Sequence, residues 1–122
     1  MTQSEQESRR DGPHLILQDP EGNETFIALG HSVLSLGRRT SNELQVLDPT
    51  VSREHATVGF EDGSYWVEDL ESTNGTFVND CRVSRQKLQH NDRLRLGKTG
   101  GSILVFRTHQ EISDLLETAE DI

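Results

Sequence analysis

The chain has 122 residues, 31% of them hydrophobic, and a formal net charge of −9, which together suit one small acidic domain and disfavour non-specific binding to nucleic acid. No apolar run approaches the roughly 18 residues of a membrane span and no apolar signal segment opens the chain, so we expect a soluble, intracellular, cytoplasmic protein. The single cysteine, Cys81, excludes an internal disulfide and fits a reducing compartment.

Strand-like periodicity dominates the middle of the chain. Residues 1–12 are polar and indicate a disordered N-terminal segment. From His14 to Arg107 apolar residues tend to recur at every second position, which is typical of half-buried strands, so residues 13–107 are predicted to form one β domain. The predicted strands are residues 14–18, 25–29, 32–36, 44–46, 56–60, 64–68, 76–78, 81–83, 93–96 and 102–106.

Turn-forming dipeptides separate these strands. Asp62-Gly63 lies between two alternating segments and is the strongest hairpin signal in the chain. Gly30-His31 also predicts a hairpin, and Asn79-Asp80 predicts a turn. Short strands separated by turn residues at this density indicate an all-β sandwich.

Residues 108–122 differ from the rest in pattern and in charge. They contain five acidic residues and no Lys or Arg. Their apolar side chains recur at helical spacing, at Ile112, Leu115, Leu116, Ala119 and Ile122. We therefore predict a short C-terminal amphipathic helix in an acidic tail, which either packs on the sandwich or begins a linker.

Three polar segments between predicted strands carry groups that suit an oxyanion. They are Leu36-Gly37-Arg38, Ser52-Arg53-Glu54-His55 and Ser72-Thr73-Asn74-Gly75-Thr76. Their guanidinium, hydroxyl and amide groups can donate several hydrogen bonds to a phosphate. The segments include no carboxylate pair, metal-ligand cluster or activated nucleophile, so they predict a place that holds a phosphate without reacting with it.

The same segments, together with their neighbours, resemble the forkhead-associated (FHA) domain, a phosphothreonine-recognition module. The resemblance covers about residues 13–107, and it is specific because many short motifs occur in register. The matching positions are Leu36-Gly37-Arg38, Asn42-Glu43-Leu44, Val51 to Ala56, Asp69 to Thr76, Val78-Asn79, Asn91-Asp92 and Leu96-Gly97. The resemblance implies an eleven-stranded, mostly antiparallel β-sandwich with a binding site in the loops at one end.

A role for each loop residue follows from the resemblance. It implies that Arg38 and Ser52 bind the phosphate, that Arg53 adds a phosphate contact, and that Thr73 approaches the phosphothreonine. It implies that Asn74 holds the main chain of the ligand, which suits an amide that both donates and accepts. The positions that shape the loops and touch no ligand are Gly37, His55 and Gly75. A positive φ at Gly75 is expected, because glycine adopts that conformation without strain.

Ordinary structural roles are expected for the other conspicuous residues. His55 is expected to be a buried, hydrogen-bonded brace and not a base or a ligand. Arg39 is expected to be solvated beside the site, and Trp66 to pack on its strand. The histidines and Cys81 lack metal-ligand spacing, so we expect no metal and no cofactor. No catalytic motif marks the chain as an enzyme, and no catalytic residue is predicted.

The leading hypothesis is a phosphothreonine-dependent protein-binding module that docks a phosphorylated partner in signalling. The expected partner is a phosphothreonine-containing protein or peptide, and neither nucleic acid nor a membrane. The alternative is a phospho-independent interaction scaffold that uses the sandwich face or the acidic tail. Arg38, Ser52 and Asn74 together favour the first hypothesis, because a scaffold needs none of them. A further hypothesis is that a phosphorylated flank acts as a ligand in cis or in trans, at Thr2, Thr108 or Thr118.

Overall fold

The computed structural model of the protein describes residues 12–108, which form strands joined by turns and loops. The eleven strands are β1 (His14–Gln18), β2 (Glu24–Ala28), β3 (Leu34–Gly37), β4 (Leu44–Gln45), β5 (Ala56–Glu61), β6 (Ser64–Asp69), β7 (Thr76–Val78), β8 (Cys81–Val83), β9 (Arg85–Lys87), β10 (Arg93–Leu96) and β11 (Ile103–Arg107). This part of the chain contains no helix, and so none long and apolar enough to cross a membrane. The predicted C-terminal helix, and all but the last residue of the predicted disordered segment, lie outside the described residues.

The strands form two sheets. One sheet has six strands in the order β2-β1-β11-β10-β7-β8, and the other has five in the order β4-β3-β5-β6-β9. All paired strands are antiparallel except β3 and β4, which are parallel. The architecture confirms the predicted eleven-stranded, mostly antiparallel β-sandwich.

The core lies between the two sheets, and strand alternation selects its residues. Along β10, Leu94 and Leu96 are buried while Arg93 is exposed and Arg95 half-buried. Successive side chains of a strand point to opposite faces, so this pattern puts both leucines in the core and both arginines on the outer face of the sheet. Each fully buried Leu contributes about 1.5–3 kcal/mol relative to an exposed one. β11 contributes Leu104 and Phe106 to the same core and lies inside its sheet, as its continuous apolar run predicts.

Two of the predicted turns have the expected backbone. Asp62 and Gly63 have φ angles of 53° and 78°, and β5 pairs with β6 across them. Asn79 and Asp80 have φ angles of 50° and 68°, and β7 pairs with β8. Positive φ at both central residues is the signature of the two-residue turn whose twist matches the flanking strands.

The hairpin predicted at Gly30-His31 is wrong. β2, which precedes it, pairs with β1 in the six-stranded sheet, whereas β3, which follows it, pairs with β4 and β5 in the other sheet. The segment is therefore a crossing between the sheets. A period-two pattern identifies strands without identifying their partners, and two consecutive strands need not share a sheet.

Strand β9 (Arg85–Lys87) was not predicted, and its sequence explains why. All three of its residues are exposed, so no alternation of polar and apolar side chains marks it. It is a strand because its backbone pairs with β6 at the edge of the five-stranded sheet. This is a case in which tertiary context decides the local structure.

Candidate functional site

Three loops meet at one end of the sandwich. They connect β3 to β4 (residues 38–43), β4 to β5 (residues 46–55) and β6 to β7 (residues 70–75). The amide of Arg38 donates to the carbonyl of Ser52 at 3.0 Å, and the amide of Arg39 donates to the carbonyl of Arg53 at 3.2 Å. These bonds continue the pairing of β3 with β5 beyond the strands, and they bring Arg38 next to Ser52.

Gly37 lies where the first two loops are in closest contact. Its carbonyl accepts a hydrogen bond from the amide of Val46 at 2.8 Å. A Cβ atom on Gly37 would collide with the backbone carbonyl of Arg53 and would lie 2.7 Å from Nδ2 of Asn42. Asn42 braces the same contact, because its Nδ2 donates to the carbonyls of Arg53 at 2.7 Å and Arg39 at 3.0 Å. Any side chain at position 37 would therefore push the two loops apart.

His55 connects the second loop to the third. It is fully buried, its Nδ1 accepts a hydrogen bond from the amide of Ser52 at 2.9 Å, and its Nε2 lies 2.8 Å from the carbonyl of Gly75. These partners require the neutral ring with the proton on Nε2, which donates to Gly75. Burial lowers the pKa of His55, against smaller opposing effects of the Gly75 carbonyl and the charge of Asp69. With the Nδ1 lone pair engaged, the ring cannot serve as a base for the Ser52 hydroxyl.

Asp69 stabilises the third loop through hydrogen bonds. Its Oδ1 accepts hydrogen bonds from the hydroxyls of Ser72 at 2.5 Å and Thr76 at 2.6 Å, and its Oδ2 accepts one from the amide of Ser72 at 3.2 Å. Burial raises the pKa of this carboxyl, but the hydrogen bonds from Ser72 and Thr76 outweigh it and leave the pKa lowered. The Ser72 hydroxyl in turn accepts from the amide of Gly75, whose φ is 96°. No role for Asp69 was predicted, although an Asp three residues before a Ser is a common turn-capping arrangement.

Ser52 and Thr73 are in direct contact across the second and third loops. The amide of Thr73 donates to Oγ of Ser52 at 3.0 Å, Ser52 is half-buried, and Thr73 is exposed. A serine hydroxyl has one hydrogen to donate besides its acceptor sites. The oxygen of Ser52 accepts from Thr73, and its hydroxyl hydrogen has no acceptor within residues 12–108, so it is available to a ligand.

The cationic side chains surround this contact. Nε of Arg38 donates to the carbonyl of Val51 at 3.0 Å, which fixes the guanidinium while its terminal nitrogens have no partner within residues 12–108. Arg53 is exposed, and its side chain likewise has no partner in the described part of the chain. Arg39 lies 4.0 Å from Glu54 with half of its side chain exposed, as expected of a solvated neighbour. Two guanidinium groups are thus available to an anion.

Asn74 is half-buried and tied to the second loop. Its Nδ2 donates to the carbonyl of Thr50 at 2.8 Å, and its Oδ1 has no partner among the described residues. The Oγ1 of Thr50 accepts a hydrogen bond from the amide of Lys98 at 3.1 Å, which links the loop after β10 to the same place. The anchoring role of Thr50 was not predicted, because it is exerted through a backbone carbonyl and leaves no trace in the residue type.

The predicted site residues therefore assemble at one end of the sandwich. Arg38, Ser52 and Thr73 are joined by direct hydrogen bonds, and Asn74 is joined to them through Thr50. Within residues 12–108 no group of His, Cys, Asp or Glu is placed to hold a metal ion. The available groups are donors for an oxyanion and one amide oxygen that can accept from a peptide N–H.

Comparison with known proteins agrees with this arrangement. Residues 34–97 match the family model of the FHA domain. Over 100 residues the chain is 33% identical to the glycogen accumulation regulator GarA of Mycolicibacterium smegmatis, covering 82% of this chain and 61% of GarA. The chain spans less than two thirds of the length of the curated relatives that it matches.

Solved structures share the whole sandwich. One is an FHA domain studied for its phosphothreonine-dependent interactions, at 30% identity and a TM-score of 0.69, covering 79% of this chain and 97% of that domain. Another is the FhaA FHA domain in complex with the intracellular domain of Rv3910, at 30% identity and a TM-score of 0.67, covering 79% of this chain and all of that domain. Because the family model covers more than half of the chain and includes all three loops, the chain belongs to the FHA domain family.

Proposed function

We propose that this chain is a phosphothreonine-dependent binding module, which docks a phosphorylated protein or peptide in signalling and is not an enzyme. The observation that carries the proposal is the direct hydrogen bonding that joins Arg38, Ser52 and Thr73 from three different loops. The terminal nitrogens of Arg38 and the hydroxyl hydrogen of Ser52 have no partner within residues 12–108. Such donors match the charge of about −1.5 to −2 and the three acceptor oxygens of a phosphorylated side chain.

The phosphate subsite of this proposal consists of Arg38, Ser52, Arg53 and Thr73. Arg38 supplies a permanently charged fork for two oxygens, and Ser52 supplies a neutral donor for the third. Asn74 completes the site, because its free Oδ1 can accept from the main chain of the ligand while Nδ2 stays bound to Thr50. The loops are already tied together by Gly37, His55 and Asp69, so little conformational freedom is lost when the ligand binds.

The FHA relatives support the nature of the partner. FHA domains of the same fold take part in phosphothreonine-dependent interactions, and the FhaA domain binds the intracellular domain of another protein. We place the binding unit of this chain at residues 13–107 and the acidic segment, with its predicted helix, outside that unit. An intracellular site of action fits the exposed, unpaired thiol of Cys81, since such thiols persist in reducing compartments.

The direct test is binding of matched peptides to the full chain. A degenerate phosphothreonine peptide library selects a preferred sequence, and isothermal titration then compares that peptide with its unphosphorylated form. We expect micromolar affinity for the phosphorylated peptide, as is usual for one anchored side chain on a small interface, and no measurable binding of the other. Equal binding of both forms would instead support the phospho-independent scaffold.

A further inference from the structure

The outer face of the six-stranded sheet carries a row of basic and aromatic side chains. Arg95 of β10, Phe77 of β7 and Arg82 of β8 are successive Cα partners across the three strands. Their neighbours along the strands, such as Leu96 and Val78, are buried in the core. Because strand side chains alternate between faces, Arg95, Phe77 and Arg82 lie together on the outer face, and we name them the arginine row.

The arginine row begins directly beside the third binding loop. A Cβ atom on Gly75 would lie 2.9 Å from Nε of Arg82 and 3.2 Å from Cε1 of Phe77. At the other end of the row, Cζ of Arg95 lies 4.0 Å from the centre of the Phe77 ring. Gly75 is two residues from Thr73, a separation of at most about 7 Å along the chain. The row is therefore continuous with the proposed phosphate subsite.

Arg82 and Arg95 form no ion pair with any other residue of the range 12–108. Among the described residues, the ion pairs are Arg39 with Glu54 and Arg85 with Glu61, and neither involves this face. Nε of Arg95 is buried without a hydrogen-bond partner in the same part of the chain, while its Nη1 donates to the carbonyl of Gly97.

A cavity of about 200 Å³ opens beside Arg95. It is lined in part by Arg93 and by Asp80, the one carboxylate in its wall. Asp80 forms no ion pair within residues 12–108. Guanidinium groups that lie against an aromatic ring are weakly hydrated and favour carboxylates.

We propose that the arginine row docks an acidic segment of the phosphorylated partner, on one side of its phosphothreonine. This inference rests on the proposed function, because the phosphothreonine fixes the partner in the loops and its neighbouring residues then pass beside the third loop onto the sheet. An extended peptide covers about 3.3–3.6 Å per residue, so Asp or Glu residues about three to six positions from the phosphothreonine reach Arg82 and Arg95. The row thus selects partners by sequence beyond the phosphate.

The test compares short and extended forms of one phosphopeptide. The phosphothreonine peptide selected from the library is made in a short form and in extended forms. An extension consists of four Asp/Glu residues or of four Gln residues, and each kind is added at either the N-terminal or the C-terminal side. Each is titrated into the full chain, into Arg82→Gln, and into Lys87→Gln, whose exposed lysine lies on the other sheet. We expect the acidic extension on one side to tighten binding about three- to tenfold at low salt, as one or two solvent-exposed ion pairs would.

The Arg82→Gln and Lys87→Gln variants distinguish binding by the arginine row from binding by the loops. We expect Arg82→Gln to remove the gain from the acidic extension and to leave the short peptide unaffected, and Lys87→Gln to change neither. The proposal is overturned if the short peptide binds but no extension adds affinity, or if the gain persists in Arg82→Gln. Self-association of the chain that Arg82→Gln abolishes, without any gain from the extensions, would assign the face to a second copy. Failure of the short peptide to bind would instead overturn the proposed function, and this inference with it.

Discussion

At the scale of single residues, Arg38 is the side chain on which phosphate binding most depends. Its Nε is held by the carbonyl of Val51, so the guanidinium is fixed before the ligand arrives. We predict that Arg38→Ala costs about 2–4 kcal/mol of peptide binding, because the phosphate loses its main counter-charge. Isothermal titration at fixed salt measures the loss, with Lys87→Ala on the other sheet as the control. A loss below about 0.5 kcal/mol would show that Arg38 is not the anchor.

The choice between threonine and serine belongs to the same scale. Phosphothreonine and phosphoserine carry nearly the same charge, so Arg38, Ser52 and Arg53 cannot distinguish them, and the γ-methyl group must. Burying one such group is worth about 0.8 kcal/mol, and the stiff χ1 of threonine adds to it. We predict a preference of at least about fivefold for phosphothreonine.

The peptide that tests this preference is made in three forms, with phosphothreonine, phosphoserine or glutamate. Titration of all three into the full chain gives the ranking. Equal affinity for the two phosphorylated forms would exclude discrimination by the methyl group. Tight binding of the glutamate form would show that the site binds anions in general and is not specific for phosphate.

His55 makes the stability of the loops depend on pH. Burial lowers its pKa below the ordinary value of 6.5 that it has in the unfolded chain, so the unfolded state binds more protons between the two values. Stability therefore rises with pH across that window: it is complete above about pH 6.5 and is lost progressively as the pH falls toward the folded pKa. We predict that the free energy of unfolding in urea decreases from pH 7.5 to pH 5.5.

Unfolding is the proper readout, because the phosphate of the ligand itself titrates near pH 6. The ring signals of His55 in the native protein, followed by NMR, give an independent check. We expect them to stay those of a neutral ring through pH 6.5. A ring that becomes protonated at or above pH 6.5 would contradict the role of burial.

At the scale of elements, the first two loops can lie close together because Gly37 has no side chain. We predict that Gly37→Ala weakens phosphopeptide binding at least about tenfold, because the new Cβ would collide with the carbonyl of Arg53 and move Ser52 away from Arg38. Gly30→Ala is the matched control, since no atom lies within 4 Å of the Cβ it would add. Titration of both variants, with circular dichroism to confirm folding, makes the comparison. Equal affinity in Gly37→Ala and the wild type would mean that the loops can separate without loss.

The elements also show what the sequence can reveal and what it cannot. β10 was predicted from its alternation of polar and apolar residues, and β11 from its continuous apolar run. Both patterns arise from burial, which is reflected in the residue types. β9 was missed because backbone pairing with β6 makes it a strand and leaves no pattern in its side chains. In the same way, the residues predicted for the site bear their chemistry in their side chains, whereas the anchoring of Asn74 by the carbonyl of Thr50 is a property of the folded backbone.

At the scale of the whole molecule, the negative charge is unevenly distributed. Residues 108–122 hold five acidic residues and no basic ones, whereas residues 30–107 hold ten of each sign. We predict that deleting residues 109–122 leaves the sandwich folded and changes peptide affinity less than about twofold at physiological salt, because none of the predicted site residues lies in that segment and salt screens its charge. Thr108 is retained because its amide donates to His90 at 2.9 Å.

Thermal unfolding and titration of the shortened chain check this prediction. A small gain in affinity at low salt is expected, since the deleted segment carries the same sign of charge as the phosphate. A shortened chain that is insoluble or molten would show instead that the segment is part of the core.

The pairing of β1 with β11 has a consequence for how such a domain is combined with others. His14 and Arg107 are direct Cα partners, so the start of the first strand and the end of the last strand lie side by side, about 5 Å apart. β10 runs toward the binding loops, where Gly97 bonds to Gly75, and the antiparallel β11 runs away from them. The start of β1 and the end of β11 therefore lie at one end of the sandwich, and the binding loops lie at the opposite end. The sandwich can therefore be inserted into a surface turn of a host protein, because the two ends of that turn need to be only about one strand spacing apart. The binding loops of the inserted domain then face away from the host.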